Sequence, residues 1–193
     1  MTPSIILSDD RVLLRPLEQH DVDNLLVFSE NEPEIWDYSP TTGAGRENLE
    51  KYIGQALKDR EHKLSLPFIV YDKNIDEYIG STRLYNINPV QKTLLIGYSW
   101  YGKKYRGTGV NKHCKYVLLK YAFEVLEMER VEFRADFSNQ RSIAAMKSIG
   151  CTLEGVLRSD TLMRDGRRRD TAVLSILKSE WFETVREKLE HKL

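Results

Sequence analysis

Residues 97–112 read Gly97-Tyr-Ser-Trp-Tyr-Gly-Lys-Lys-Tyr-Arg-Gly-Thr-Gly-Val-Asn-Lys112. The run is entered through Leu94, Leu95 and Ile96, and with Tyr98, Trp100 and Tyr101 these are strand formers. The chain then turns basic at Lys103, Lys104 and Arg106 and supplies Gly107 and Gly109. From Val110 the apolar positions Val110, Cys114, Val117, Leu118, Tyr121 and Val125 recur at helix-face spacing. The order predicted is strand, basic glycine loop, helix N-terminus. The first turn of a helix leaves backbone N–H groups without intrahelical acceptors, and the helix dipole adds partial positive charge there. Glycines let an anion come close, and Arg106 can pair with it. Phosphate or pyrophosphate is the ligand chemistry this arrangement suits.

Three phosphate-binding loops fit that order in outline. A P-loop ends in Gly-Lys-Ser/Thr, where this chain has Gly109-Val110-Asn111. A dinucleotide fingerprint needs a third glycine where Lys112 stands. The third is the acetyl-CoA loop Gln/Arg-x-x-Gly-x-Gly/Ala, read here as Arg106-Gly-Thr-Gly109-Val-Asn111, with Asn111 in place of the small last residue. Downstream, Val131, Phe133, Ala135 and Phe137 alternate along one face of a strand. Ser138-Asn139-Gln-Arg-Ser142-Ile then opens a short helix ending at Gly150, followed by Glu154-Gly155. Together the loop and this second segment resemble the GCN5-related N-acetyltransferases, from about Arg11 to about Leu177. The resemblance is closest to the ribosomal-protein alanine/serine N-acetyltransferase branch.

What the resemblance implies is an acetyl-CoA-dependent N-acetyltransferase. The strand over 92–100 and the one over 130–137 splay apart, and the pantetheine arm lies between them. Tyr98, Ser99 and Trp100 offer backbone partners to that arm. Arg106, Gly107, Thr108, Gly109, Val110, Asn111 and Lys112 hold the pyrophosphate, and Asn139 contacts the arm. An amine acceptor, a protein N-terminus or a small amine, attacks the thioester directly. A backbone N–H of the strand over 92–100 serves the oxyanion. Many relatives protonate the thiolate with a tyrosine where this chain has Met146, and the ribosomal branch proposes a serine at Ser142. Ser142 and Asn139 are therefore the expected catalytic residues, although Ser142 also reads as a first-turn helix residue and Asn139 as its N-cap. The branch's glutamate base corresponds to Thr161, and the acidic residue frequent in relatives corresponds to Leu95. Asp136, Asp160 and Glu34 are left as substitutes. The resemblance leaves a homodimer open.

Composition agrees with one soluble globular domain, residues 1–193, which the resemblance makes a single acetyltransferase domain. Hydrophobic content is 41% and charged content 30%, as in ordinary globular proteins. Lys plus Arg equals Asp plus Glu at 29 each, which argues against a dedicated nucleic-acid binder. No apolar run is long enough to span a membrane, and Met1-Thr-Pro-Ser does not read as a signal peptide. Two cysteines, Cys114 and Cys151, do not make a disulfide framework, so reduced thiols in the cytoplasm are expected. The four histidines are scattered, and no metal site is expected.

In chain order, residues 11–17 form a first strand, and Asp21 caps a helix through Phe28. The loop Asn31–Pro40 carries Trp36 and Tyr38, candidates for the wall of the acceptor cleft. Residues 47–63 form a second helix, and 66–71, 77–85 and 92–100 are strands. Residues 152–163 and 167–177 form a hairpin around Asp165-Gly166. Arg167, Arg168 and Arg169 read as its solvated tip. Ser179 caps a last amphipathic helix through Trp181, Val185 and Leu189. The fold expected is α+β, with a mixed, mostly antiparallel sheet of about seven strands flanked by helices. Two other functions stay open at this level: a non-catalytic acyl-CoA-binding or sensing module, and a nucleotide binder stabilised by ATP or NAD.

Overall fold

Alternation and turn chemistry set most of the elements in the computed structural model, which describes residues 5–193. The segment Met1-Thr-Pro-Ser lies outside the described residues. Strands β1 (Leu7–Ser8), β2 (Val12–Pro16), β3 (Ser65–Asp72), β4 (Glu77–Asn88) and β5 (Thr93–Tyr101) come first, with β6 (Arg130–Asp136), β7 (Thr152–Leu162) and β8 (Arg168–Leu177) later in the chain. They build one eight-stranded sheet in the order β1-β2-β3-β4-β5-β6-β8-β7. The strand beyond the expected seven is β1, whose two residues pair with β2 through Leu7↔Leu14 and Ser8↔Leu13. Two residues are too few to show a period, so nothing in the sequence marks it.

Every neighbouring pair is antiparallel except β5 with β6. A parallel pair needs a crossover. Helix α3 (Val110–Lys120) and the π turn Tyr121–Val125 supply it. That turn corrects one expectation. An inserted π residue rotates the chain beyond it, and Val125 comes out 63% exposed instead of continuing the buried face. Phe137 also leaves its expected face at 42% exposure, because β6 ends at Asp136 and the chain turns there.

Helices α1 (Asp21–Asn31) and α2 (Arg46–Glu61) pack on each other, and α4 (Gln140–Ser148) packs on β6. Asp21 does not cap α1 through its side chain. Its carboxylate is wholly buried and accepts two bonds from Arg15 and one each from Glu18 N and Asn24. Ser179 is likewise not a cap. Leu177 precedes helix α5 (Lys178–Glu180), and its N–H donates to the Glu180 carboxylate at 2.8 Å. Trp181, Val185 and Leu189 do form the buried stripe beyond it. The core runs through both faces of the sheet, with Leu14, Phe68, Ile79 and Leu84 toward one end and Val131, Phe133 and Leu174 toward the other.

Candidate active site

The site begins where two strands stop pairing. β5 and β6 are in register only at Thr93↔Arg130, Leu94↔Val131 and Leu95↔Glu132. From Ile96 onward β5 leaves β6, while β6 stays bonded to β8 as far as Asp136↔Thr171. On its other side β5 bulges: Arg83 faces Gly97 and Ser81 faces Trp100, so Tyr98 and Ser99 stand opposite the single residue Thr82. A bulge bends its strand and re-aims side chains. Tyr98 takes φ 51°, a left-handed conformation unusual for a large residue. Gly80, across the ladder, is required by close approach: a Cβ there would lie 2.0 Å from the Trp100 carbonyl oxygen.

A cleft of about 480 Å³ fills the divergence. Of the residues expected to hold acetyl-CoA, Tyr98, Ser99, Trp100, Arg106, Gly107, Asn111 and Asn139 line it, as does Ser142. Thr108, Gly109, Val110 and Lys112 do not line it with their side chains. Thr108 Oγ1 donates to Tyr105 O at 2.8 Å, and its carbonyl accepts from Arg11 at 2.8 Å. Val110 is core, 1% exposed, and can offer only its backbone. The Lys112 N–H is spent on the Gly109 carbonyl at 2.8 Å. Gly107 and Gly109 take φ 81° and 92°, which suits glycine, and they bring the chain to the start of α3. Arg106 Nε donates to Tyr101 O at 3.0 Å, and its Nη2 lies 3.8 Å from Glu32. Glu32 in turn accepts the Lys103 N–H at 2.6 Å.

The cleft fits a ligand with hydrogen-bonding groups. Trp36 Nε1, Tyr52 Oη and Trp100 Nε1 belong to residues lining it and are buried without a partner among the described residues. Orphaned donors of this kind are costly unless a ligand or water meets them. Trp36 and Tyr38 both line the cleft, as their loop suggested. Trp36 packs edge-on against Tyr52 and Trp100, at 5.0 and 5.4 Å between centroids. The loop is held by the β7–β8 hairpin: Arg164 donates to Trp36 O at 2.9 Å and Arg169 to Tyr38 O at 3.1 Å. The arginine run is thus tied down rather than merely solvated. Arg167 pairs with Asp136 at 2.7 Å, and Arg169 lines the cleft.

Asn139 caps α4, its Oδ1 accepting the Ser142 N–H at 3.1 Å. Ser142, in that first turn, and Met146, one turn on, both face the cleft. The three carboxylates left as candidate bases also line it. Burial pushes the Asp136 carboxyl up, but bonds from Ser138 and Arg167 outweigh it and hold the group below its ordinary value. Bonds from Thr171 and Thr161 lower Asp160. Both are therefore weak bases.

The site also holds residues that periodicity hides. Tyr85 meets Tyr98 edge-on at 5.0 Å, and the Arg83 guanidinium lies between the Tyr52 and Tyr98 rings at 4.3 Å from each. Lys115, on α3, is 5% exposed and turns into the cleft floor. Near the start of the same helix His113 is almost buried and bonds Asp9 at 2.8 Å, tying α3 to the β1–β2 turn.

Residues 11–152 match the acetyltransferase (GNAT) domain family. The chain belongs to the GNAT acetyltransferases. It is 35% identical over 113 residues to YdaF of Bacillus subtilis (strain 168), a protein named as a putative ribosomal N-acetyltransferase. That match spans 58% of this chain and 59% of the relative. It is 28% identical to the uncharacterized N-acetyltransferase p20 of Bacillus licheniformis over 180 residues, 91% of this chain and 97% of that one. A GCN5-related N-acetyltransferase from Brucella melitensis superposes with a TM-score of 0.89 at 26% identity, covering 97% of this chain and 85% of the other. GNAT acetyltransferases use acetyl-CoA as co-substrate. Among the described residues no helix is long and apolar enough to cross a membrane.

Proposed function

We propose that this GNAT enzyme moves an acetyl group from acetyl-CoA to a primary amine by direct attack of the neutral amine on the thioester carbonyl. The observation that carries the reading is the parting of β5 from β6 after three residue pairs, which opens a cleft running to the Arg106 loop. In this reading β5 lends its free backbone edge to the pantetheine arm. Arg106, Gly107 and the N–H groups at the start of α3, with Thr108, Gly109, Val110, Asn111 and Lys112 shaping the loop, take the pyrophosphate. Asn139 borders the arm. A backbone N–H at the Tyr98–Ser99 bulge meets the oxyanion, and the Ser142 hydroxyl donates to the departing sulfur.

The acceptor enters between Trp36, Tyr38 and Tyr85. Asp136 and Asp160 are weak bases, which favours an amine already partly neutral near pH 7. An α-amine, with a pKa near ~8, meets that requirement better than a lysine near ~10.4. Peptides with free N-termini are therefore the first acceptors to test, a choice the ribosomal relative also suggests. Two buried, unpaired thiols, Cys114 and Cys151, suit a reducing cytoplasm.

Free-thiol release from acetyl-CoA, measured against peptides, polyamines and aminoglycosides, tests the reading. Tight CoA binding with no turnover on any amine would replace it with an acyl-CoA-binding module. Ser142→Ala is expected to lower kcat about tenfold, the worth of one hydrogen bond to a charged group, with acetyl-CoA affinity nearly intact. A kcat equal to the parent's would reduce Ser142 to a helix-start residue.

A further inference from the structure

Lys115 is the one lysine buried among the described residues, and the pairing that normally accompanies a buried charge is missing. Its Nζ donates to Ser99 Oγ at 2.5 Å. Ser99 Oγ shares a bond with Thr82 Oγ1 at 2.7 Å and lies 3.3 Å from Gly97 O. An ammonium has three donors, and only one is used in this way. The Phe133 ring of β6 lies 5.9 Å from Nζ, and the titratable groups that act on it are the thiols of Cys114, next to it on α3, and Cys151, after α4. Among the described residues no carboxylate takes part in an ion pair with it. A buried cation with one hydroxyl partner costs stability, and such groups concentrate at functional sites. Ser99 sits in the β5 bulge, between the last β5–β6 pair and the Arg106 loop. Lys115 therefore reaches the cleft partway along the path assigned to the pantetheine arm.

We propose that Lys115 is the acid that protonates the thiolate leaving from acetyl-CoA. The inference rests on the acetyl-transfer reading above. The acceptor nitrogen forms a bond to the thioester carbon, and the C–S bond breaks with its electron pair going to sulfur. One Nζ–H proton moves to that sulfur, giving free CoA thiol and a neutral lysine. The proton shed by the acetylated nitrogen reaches Lys115 again through solvent, so the cycle closes with no other reactant. Burial, opposed by the neighbouring thiols, pushes the Lys115 ammonium down to about 8. A general acid works best with a pKa near the working pH. A serine hydroxyl titrates far above that range, which leaves Ser142 as a hydrogen-bond donor to sulfur. Met146 has no proton to give.

The test uses the intact protein with CoA and two variants, Lys115→Met and Lys115→Arg. Methionine keeps much of the stem and removes the buried charge. Arginine keeps the charge and releases no proton in the working range. The ultraviolet absorbance of the thiolate reports the titration of CoA bound to each. An ammonium beside the sulfur favours the thiolate, so bound CoA should titrate at least about one pH unit lower in the parent and in Lys115→Arg than in Lys115→Met. With a competent amine, kcat should fall about 10²–10⁴-fold in both variants, the range for a lost general acid. CoA affinity should stay within a few-fold. The alkaline limb of the parent's kcat profile should disappear with the lysine. CoA that binds and titrates alike in parent and Lys115→Met would overturn the role of Lys115 while leaving the cofactor cleft in place. No saturable binding of CoA by the parent would overturn the cofactor reading and this inference with it. Should Lys115→Met fail to fold, the parent against Lys115→Arg still decides: an undiminished kcat in the arginine variant would sink the proposal.

Discussion

Arg106→Glu should raise the KM for acetyl-CoA about 100-fold and leave the KM for the amine almost unchanged. Arg106 is the only arginine within the loop, and its side chain is 21% exposed, so it can meet an anion without being lost to solvent. Nε is anchored to Tyr101 O, which fixes the stem and leaves the guanidinium tip free to pair. A charge-assisted bond to a phosphate contributes about 1.5–3 kcal/mol, and about 1.4 kcal/mol is a factor of ten. The new carboxylate also repels the pyrophosphate and stands beside Glu32. Steady-state kinetics with both substrates varied, plus the thermal shift given by CoA, would measure the effect. Equal changes in both KM values would mean that the loop only supports the fold. Glu32→Gln should act in the opposite direction and more weakly, because it releases Arg106 from a 3.8 Å competitor.

The second large effect concerns stability. Asp21→Ala should destabilise the protein by about 3–5 kcal/mol, the range for removing one partner of a buried ion pair. The Asp21 carboxylate is 0% exposed and lies 2.6 Å from Arg15 Nη2, whose Nε also bonds Tyr78 Oη at 3.0 Å. Without the carboxylate, Arg15 keeps a charge in a half-buried place and Glu18 N and Asn24 lose their acceptor. Because the Arg15 side chain is 22% exposed, some of its charge can rehydrate, and the lower end of the range is expected. For a chain of this size about 3 kcal/mol corresponds to roughly 6–12 °C in Tm. The same pair gives a pH dependence. Burial alone would raise the Asp21 pKa, but the bonds from Arg15, Glu18 and Asn24 lower it below the ordinary value of 3.8. The unfolded chain then binds this proton more readily than the folded one. The stabilisation is complete above the unfolded pKa and drains away as pH falls through it toward the folded value. Acid unfolding of the parent and of Asp21→Ala should therefore converge at low pH; a constant gap between them would contradict the pairing.

Residues 97–112 and 138–155 carried the fold and the cofactor reading in the sequence because both depend on local chemistry. Glycine at positive φ, a basic turn and an N-capping asparagine act within a few residues, and Gly107, Gly109 and Asn139 do what their neighbours in sequence predict. Strand formers and turn residues around 66–71, 77–85 and 92–100, and alternation along 130–137, likewise mark strands from local pattern alone. Errors appeared where packing or a partner outside the local turn overrode a local rule. Asp21 reads as a cap, but Arg15 takes it into the core. Arg167 reads as solvated and is exposed, yet it also pairs with Asp136, 31 residues back and close in space. Val125 continues a helical stripe on paper, while the π turn rotates it outward.

An α+β fold with a basic glycine loop at the head of a helix is legible from residue order, because those features depend on backbone conformation and short-range hydrogen bonding. Where the chemistry sits is a matter of packing. The bulge at Tyr98 and Ser99 is a count of residues on two paired strands, and the splay of β5 from β6 is the end of a pairing. Neither leaves a period in one strand's sequence. Lys115 falls among the apolar residues of α3 and looks like an ordinary surface lysine of an amphipathic helix. Only the packing of α3 beneath the parted strands puts its Nζ on Ser99, buried and, among the described residues, with no carboxylate to pair it, where burial can change what the group does.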